Sequence, residues 1–141
     1  MSEKVPSTTQ LQSMKILVVE DSPDNRVLIG LFLKSIGINQ VDYAWNGLEG
    51  VEKANQTNYD VVLMDLNMPV MDGYTATLKL RQNGFQRPII ALTANTSDLP
   101  AAKGIALKQG FTEYLTKPID RRLLVENLKR LGETQAHAES D

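Results

Sequence analysis

The chain has 141 residues, 42% of them hydrophobic and 23% charged, which bounds it to one globular domain with a core that needs no staples. Lys and Arg number 15 against 17 Asp and Glu, a net charge of −2, so there is no electrostatic footprint for bulk nucleic-acid binding. Disulfides and thiolate metal sites are excluded by the absence of cysteine, a multi-histidine site by the lone His137, and a membrane helix by the lack of any apolar run near ~20 residues.

In chain order, residues 1–13 are polar and aperiodic and read as a flexible arm. A first β-type run covers 15–19 and is followed by a helical pattern near 23–36, where Val27, Leu28, Leu31, Phe32 and Ser35 share one face. Runs at 41–44, 60–64, 88–92 and 111–115 alternate with helical patterns near 46–56, 73–83, 98–109 and 119–131. Leu123, Leu124, Leu128 and Leu131 give the last of these its apolar side. Residues 132–141 read as a flexible tail, leaving 14–131 as the domain. With no apolar leader at the N-terminus, a cytoplasmic location is expected.

Two runs, Ile16-Leu17-Val18-Val19 and Val61-Val62-Leu63-Met64, are apolar on consecutive residues. A strand of that kind is buried on both faces, which predicts a parallel sheet covered by helices on each side. Strand–helix alternation with right-handed crossovers makes this a doubly wound α/β sandwich. Ligands in such sheets bind outside the carboxyl ends of the strands, so the residues that end each run carry the functional argument. The first run ends in Glu20-Asp21, the third in Asp65 and the fourth in Thr93, and the fifth is followed by Lys117-Pro118.

Each residue has a plainer role open to it. Asp21 suits a helix N-cap, Pro23 a first helical turn, Thr93 a structural hydroxyl and Lys117 a solvated turn. The set is harder to explain as coincidence. Crowded carboxylates repel one another, and a hard divalent cation relieves them; oxygen-only ligands favour Mg²⁺, Mn²⁺ or Ca²⁺. One carboxylate can then attack phosphorus and hold an acyl phosphate while an ammonium and a hydroxyl neutralise the equatorial oxygens.

From about Met14 to Leu131 the chain resembles the response-regulator receiver family, through the segments KILVVEDSPDNR, VVLMDLNMPVMDGYTA, PIIALTAN and GFTEYLTKPID. The resemblance implies a flavodoxin-like (βα)5 fold, a doubly wound five-stranded parallel sheet in the order 2-1-3-4-5. It implies Asp65 as phosphoacceptor and Mg²⁺ as cofactor. Asp21 and Asp65 would hold the metal directly, Glu20 through water, and Asn67 by its backbone carbonyl. Thr93 and Lys117 would take phosphoryl oxygens. Tyr114 would be the switch aromatic, Pro118 would follow a cis peptide bond, and Pro69 with Asp72-Gly73 would form the turn after the third strand. Phosphorylation would draw Thr93 inward, let Tyr114 follow, and change the surface made by the fourth and fifth helical patterns (98–109 and 119–131) and the fifth β-type run (111–115). The phosphodonor would be a histidine kinase or a histidine-phosphotransfer protein, with a downstream protein target. No direct nucleic-acid contact and no membrane contact are expected. Too little chain follows Leu131 for an output domain, so a stand-alone regulator or a domain of a larger kinase is expected.

Other features stay open. Trp45, the only tryptophan, is either a partner anchor or a ring folded on local apolar surface. Arg121, Arg122, Lys129 and Arg130 could line a face of a phosphorylation-dependent homodimer, or a solvated helix face. Three rival functions fit the residues less well. A phosphohydrolase would want a second Asp where Asn67 stands. An FMN binder would want small hydroxyl residues where Glu20-Asp21 stands. A degenerate docking module would be expected to lack part of the acid–Thr–Lys set.

Overall fold

The computed structural model describes residues 11–94 and 110–139. Five parallel strands form one sheet in the order β2-β1-β3-β4-β5: β1 (Lys15–Val19), β2 (Gln40–Ala44), β3 (Val61–Asp65), β4 (Ile89–Thr93) and β5 (Glu113–Thr116). Helices α1 (Pro23–Ser35), α2 (Gly47–Gln56), α3 (Gly73–Gln82) and α4 (Arg121–Glu139) complete the described elements. The helix expected at 98–109 lies outside the described residues.

The unbroken apolar runs serve two cores at once. Side chains alternate across a strand. So Ile16, Val18, Leu63, Ile90 and Leu92 pack with Ile29 and Leu33 of α1 and Leu124, Leu128 and Leu131 of α4. Their neighbours Leu17, Val19, Val62, Met64, Ile89 and Ala91 pack on the other face with Val51 of α2 and Ala76 and Leu80 of α3. Nearly all of these are fully buried, each stabilising the fold by roughly 1.5–3 kcal/mol before chain entropy is charged against it.

Several boundaries differ from those the sequence predicts. The domain was expected to begin at Met14, yet a helical turn at 11–13 brings Leu11 into the α1–α4 core at 3% exposure. The last helix runs past Leu131 to Glu139, since the Glu, Gln and Ala that follow Gly132 are good helix formers. β3 and β4 end one residue later than expected, because Asp65 pairs with Leu92 and Thr93 with Thr116 inside the ladder. The face of α1 is also corrected. Val27 and Leu31 are 63% and 59% exposed, while Ile29 and Leu33 are buried.

The order 2-1-3 means that the chain leaves β1 toward one side and crosses back to β3 on the other. Windings of opposite sense open a crevice at the carboxyl ends of β1 and β3.

Candidate functional site

That crevice brings together what the sequence placed at strand ends. Val19 pairs with Met64, so the next residues, Glu20 and Asp65, lie side by side. Glu20, Asp21 and Asp65 each offer a carboxylate oxygen, and the three lie within 4.8 Å of one another. Glu20 and Asp65 are buried and Asp21 is exposed. Lys117 reaches in from the end of β5, its Nζ 3.0 Å from Glu20 Oε1 and 3.1 Å from Asp65 Oδ1.

Local hydrogen bonds hold each part. Ser22, rather than Asp21, caps α1: its Oγ accepts the Asn25 N–H. Asp21 is thereby left out of the cap. Glu20 Oε2 accepts the Ser22 N–H at 3.1 Å, and Asp65 Oδ1 accepts the Asn67 N–H at 3.2 Å. Lys117 N–H donates to the Thr93 carbonyl at 2.7 Å, tying the β4 and β5 ends together, and the Lys117–Pro118 peptide bond is cis. Thr93 is buried at 5% exposure, and Tyr114 is half-buried against the α2–α3 core.

Gly73 explains why Asp72-Gly73 opens α3. Asp72 Oδ1 caps the helix by accepting the Thr75 N–H at 2.8 Å. A Cβ at position 73 would stand 2.2 Å from the Asp65 carbonyl oxygen, so only glycine lets α3 start against the end of β3.

The electrostatics follow from burial. Asp65 is pushed up to about 7 by desolvation and by the Glu20 carboxylate, against the pull of Lys117 and the Asn67 N–H. Burial lowers Lys117, but Glu20 and Asp65 outweigh it and hold the ammonium above its ordinary value. Glu20 Oε1 is a buried acceptor with Lys117 at ion-pair distance but with no hydrogen bond. A buried, under-satisfied carboxylate beside two others is an oxygen-only donor set of the kind a hard divalent cation fits.

The sequence reading missed Arg26. Its Nη1 donates to the Glu20 carbonyl at 2.7 Å, and its guanidinium carbon lies 5.1 Å from the Trp45 ring centroid. Trp45 itself is 60% exposed. Of the basic residues of α4, Arg121 donates to Ser35 Oγ and Arg130 pairs with Glu113 at 3.2 Å, so these two tie helix to neighbour within the chain.

The model of the response regulator receiver domain family matches residues 16–129. Among curated proteins, Two-component system protein A of Emericella nidulans is 40% identical over 115 residues, covering 80% of this chain and 17% of that protein. Sensor histidine kinase RcsC of Escherichia coli is 37% identical over 133 residues, covering 92% and 14%. The chain thus spans a minor part of these relatives' length. Among solved structures, the receiver domain of the Francisella response regulator 1452 superposes with a TM-score of 0.80 at 31% identity, covering 87% of this chain and 99% of that one. The receiver domain of sensor histidine kinase PA1611 from Pseudomonas aeruginosa has magnesium coordinated in its active-site cleft. It matches with a TM-score of 0.76 at 39% identity, covering 85% and 98%. The receiver domain of Saccharomyces cerevisiae Ssk1, solved with the histidine phosphotransfer protein Ypd1, gives a TM-score of 0.79 at 33% identity, covering 87% and 91%. With crevice, sheet order and sequence in agreement, this chain belongs to the response regulator receiver family of two-component signalling.

Proposed function

We propose that Asp65 is the phosphoacceptor of a phosphorelay and that a histidine kinase or histidine-phosphotransfer protein supplies the group. The observation that carries this is the buried Asp65 carboxylate, within 4.8 Å of the Glu20 and Asp21 oxygens and 3.1 Å from Lys117 Nζ. In the transfer an Asp65 carboxylate oxygen attacks phosphorus. The O–P bond forms as the P–N bond to the donor imidazole breaks, and the imidazole leaves. Asp65 must be ionised to attack; in the metal-free site burial and the Glu20 carboxylate oppose this, and a bound cation would favour it.

Mg²⁺ would be held by Asp21, Asp65 and the Asn67 backbone carbonyl, with Glu20 behind water; when bound it supplies charge neutralisation to the site and the phosphoryl oxygens. Lys117 turns from Glu20 toward a phosphoryl oxygen and Thr93 takes another. Tyr114 then follows Thr93, and the surface of β5 and α4 changes; the 98–109 part of the expected switch surface lies outside the described residues. Phosphate acts by its differential contacts in the two states. The working unit is 14–131 with the preceding Leu11 turn. A downstream protein target, a phosphorylation-dependent dimer and a cytoplasmic location complete the reading. Among the described residues no helix is long and apolar enough to cross a membrane.

Incubation with acetyl phosphate and Mg²⁺, followed by intact-mass spectrometry, is the test. One added phosphoryl group is expected, abolished by Asp65→Asn and by EDTA. Continuous release of phosphate would instead mark a hydrolase, and no label at all a docking module.

A further inference from the structure

Glu20 is held on every side. Its N–H donates to the Ala44 carbonyl at 2.9 Å, continuing the β1–β2 ladder past the last strand residue. One side-chain oxygen takes the Ser22 N–H, and its own carbonyl takes Arg26 Nη1 at 2.7 Å. That carbonyl belongs to the peptide plane joining Glu20 to Asp21. Holding the plane restricts ψ of Glu20 and φ of Asp21, the two torsions that decide where these side chains leave the backbone. Arg26 therefore bears on the aim of two of the three clustered carboxylates without touching either carboxylate group.

Arg26 in turn is held from the other side. The Trp45 ring lies beneath its guanidinium at 5.1 Å, a cation–π contact. Trp45 is carried by a firm turn: its N–H donates to Glu49 Oε1 at 2.7 Å, Asn46 Oδ1 accepts the Glu49 N–H at 2.9 Å, and Gly47 N–H donates to the Met71 carbonyl at 2.9 Å. Met71 lies in the loop that runs from Asp65 to α3. The three loops at the carboxyl ends of β1, β2 and β3 are thus joined in series, and the Arg26–Trp45 contact joins the first two alongside the Glu20–Ala44 hydrogen bond.

We infer that Arg26, stacked on Trp45, is a positioning residue for the divalent-cation site, acting by locking the Glu20–Asp21 peptide plane. This rests on the proposed reading of the acidic cluster as a Mg²⁺ site. Groups that orient metal ligands without touching the metal typically contribute 10–100-fold in affinity. Trp45 acts one step further out, so its loss should weigh less.

Calorimetric titration of the full chain with Mg²⁺, without phosphodonor, tests this. Arg26→Ala should weaken binding about tenfold. Arg26→Lys should recover most of that, because an ammonium can still reach the carbonyl and sit over the ring. Trp45→Ala should weaken binding about threefold while Trp45→Phe restores it, since either aromatic face attracts the cation. Thermal midpoints in EDTA separate folding from binding: a merely structural role would lower the midpoint and leave the affinity of the folded fraction unchanged. Arg26→Ala binding Mg²⁺ as tightly as the parent would overturn the inference. Where Arg26→Ala does not fold, equal affinities for Trp45→Ala and Trp45→Phe overturn it. Failure of the parent chain to bind Mg²⁺ at all is a different result, and it sinks the metal-site reading itself.

Discussion

The two ends of the sheet are made from the same residue types and handle them in opposite ways. Toward the amino end, Asp60 Oδ2 accepts the Lys15 N–H at 2.7 Å, and the Tyr59 hydroxyl donates at 2.7 Å to Asp42 Oδ2 from the middle of β2. Lys15 Nζ adds a contact over the Tyr59 ring at 5.8 Å. At the carboxyl end, Glu20 and Asp65 crowd each other and share the one ammonium of Lys117. A cleft of about 460 Å³ lined by Asn55, Asn58, Asn83 and Arg87 opens at the amino end, away from Asp65. Chemistry follows unsatisfied charge. An acid with its donors in place is a strut, whereas one held beside another acid is poised to take a cation or an electrophile.

The sharpest way to break the contrast is one substitution placed at each end. Gly73→Ala drives a methyl against the Asp65 carbonyl, 2.2 Å away, and backbone cannot yield cheaply. A loss of about 3 kcal/mol in urea denaturation is expected, with Asp65 labelling slowed on the order of 100-fold because the nucleophile moves. Gly84→Ala in the amino-end loop meets nothing within 4 Å and is strained only by its φ of +94°. It should cost about 1 kcal/mol and leave labelling unchanged. Equal effects at the two positions would refute the idea that close packing of α3 on β3 aims the acceptor.

A smaller effect should appear in the pH dependence. Asp65 has a folded value of about 7 against an ordinary 3.8, so the native state holds its proton over a range where the unfolded chain has released it. Stability in EDTA therefore falls as pH rises from about 4 to about 7, and the full cost is present above that. Asp65→Asn removes the ionisation. Its thermal midpoint should match the parent near pH 4, rise above it by pH 7, and stay above it beyond. Saturating Mg²⁺ should close the gap from the parent's side. A flat difference between Asp65→Asn and the parent across this range would mean that Asp65 is not held protonated by its neighbours.

How much of this was legible varied with the range of the interaction. Glu20, Asp21, Asp65, Thr93 and Lys117 could be read because an apolar run announces a strand and the winding rule says which end matters. The face of α1 could not. Val27, Leu28, Ile29, Leu31, Phe32 and Leu33 surround most of the helix, so both the stripe through Val27 and Leu31 and the stripe through Ile29 and Leu33 have helical spacing. Only contact with the sheet chooses between them, and it chose the second. Arg26 was invisible for a related reason. Its partners are a carbonyl six residues back and a ring nineteen residues on, brought together by β1–β2 pairing rather than by any local pattern. Leu11 falls in the polar arm because Met1, Val5 and Leu11 are too widely spaced to make a periodicity, although Leu11 reaches the core.

The finest difference between the two ends lies in how each makes its tight turns. Left-handed backbone before β2, β4 and β5, at the amino end, falls on Gly37, Gly84 and Gly110. At the carboxyl end it falls on Val70, with φ +70°, in a turn closed by the Met71 N–H donating to the Pro69 carbonyl at 2.7 Å. A β-branched residue is poorly suited to that region, and Val70 gains little from burial at 76% exposure. Relief of strain by Val70→Gly is worth about 1–2 kcal/mol, and the extra freedom given to the unfolded chain takes back about 0.5–1. The variant should therefore be more stable by roughly 0.5–1 kcal/mol in urea denaturation, with acetyl-phosphate labelling unaltered. A loss of stability would show that the turn holds valine without strain. A gain would mean that the rim beside Asp65 carries a backbone cost that the opposite rim avoids by placing glycine at each such turn.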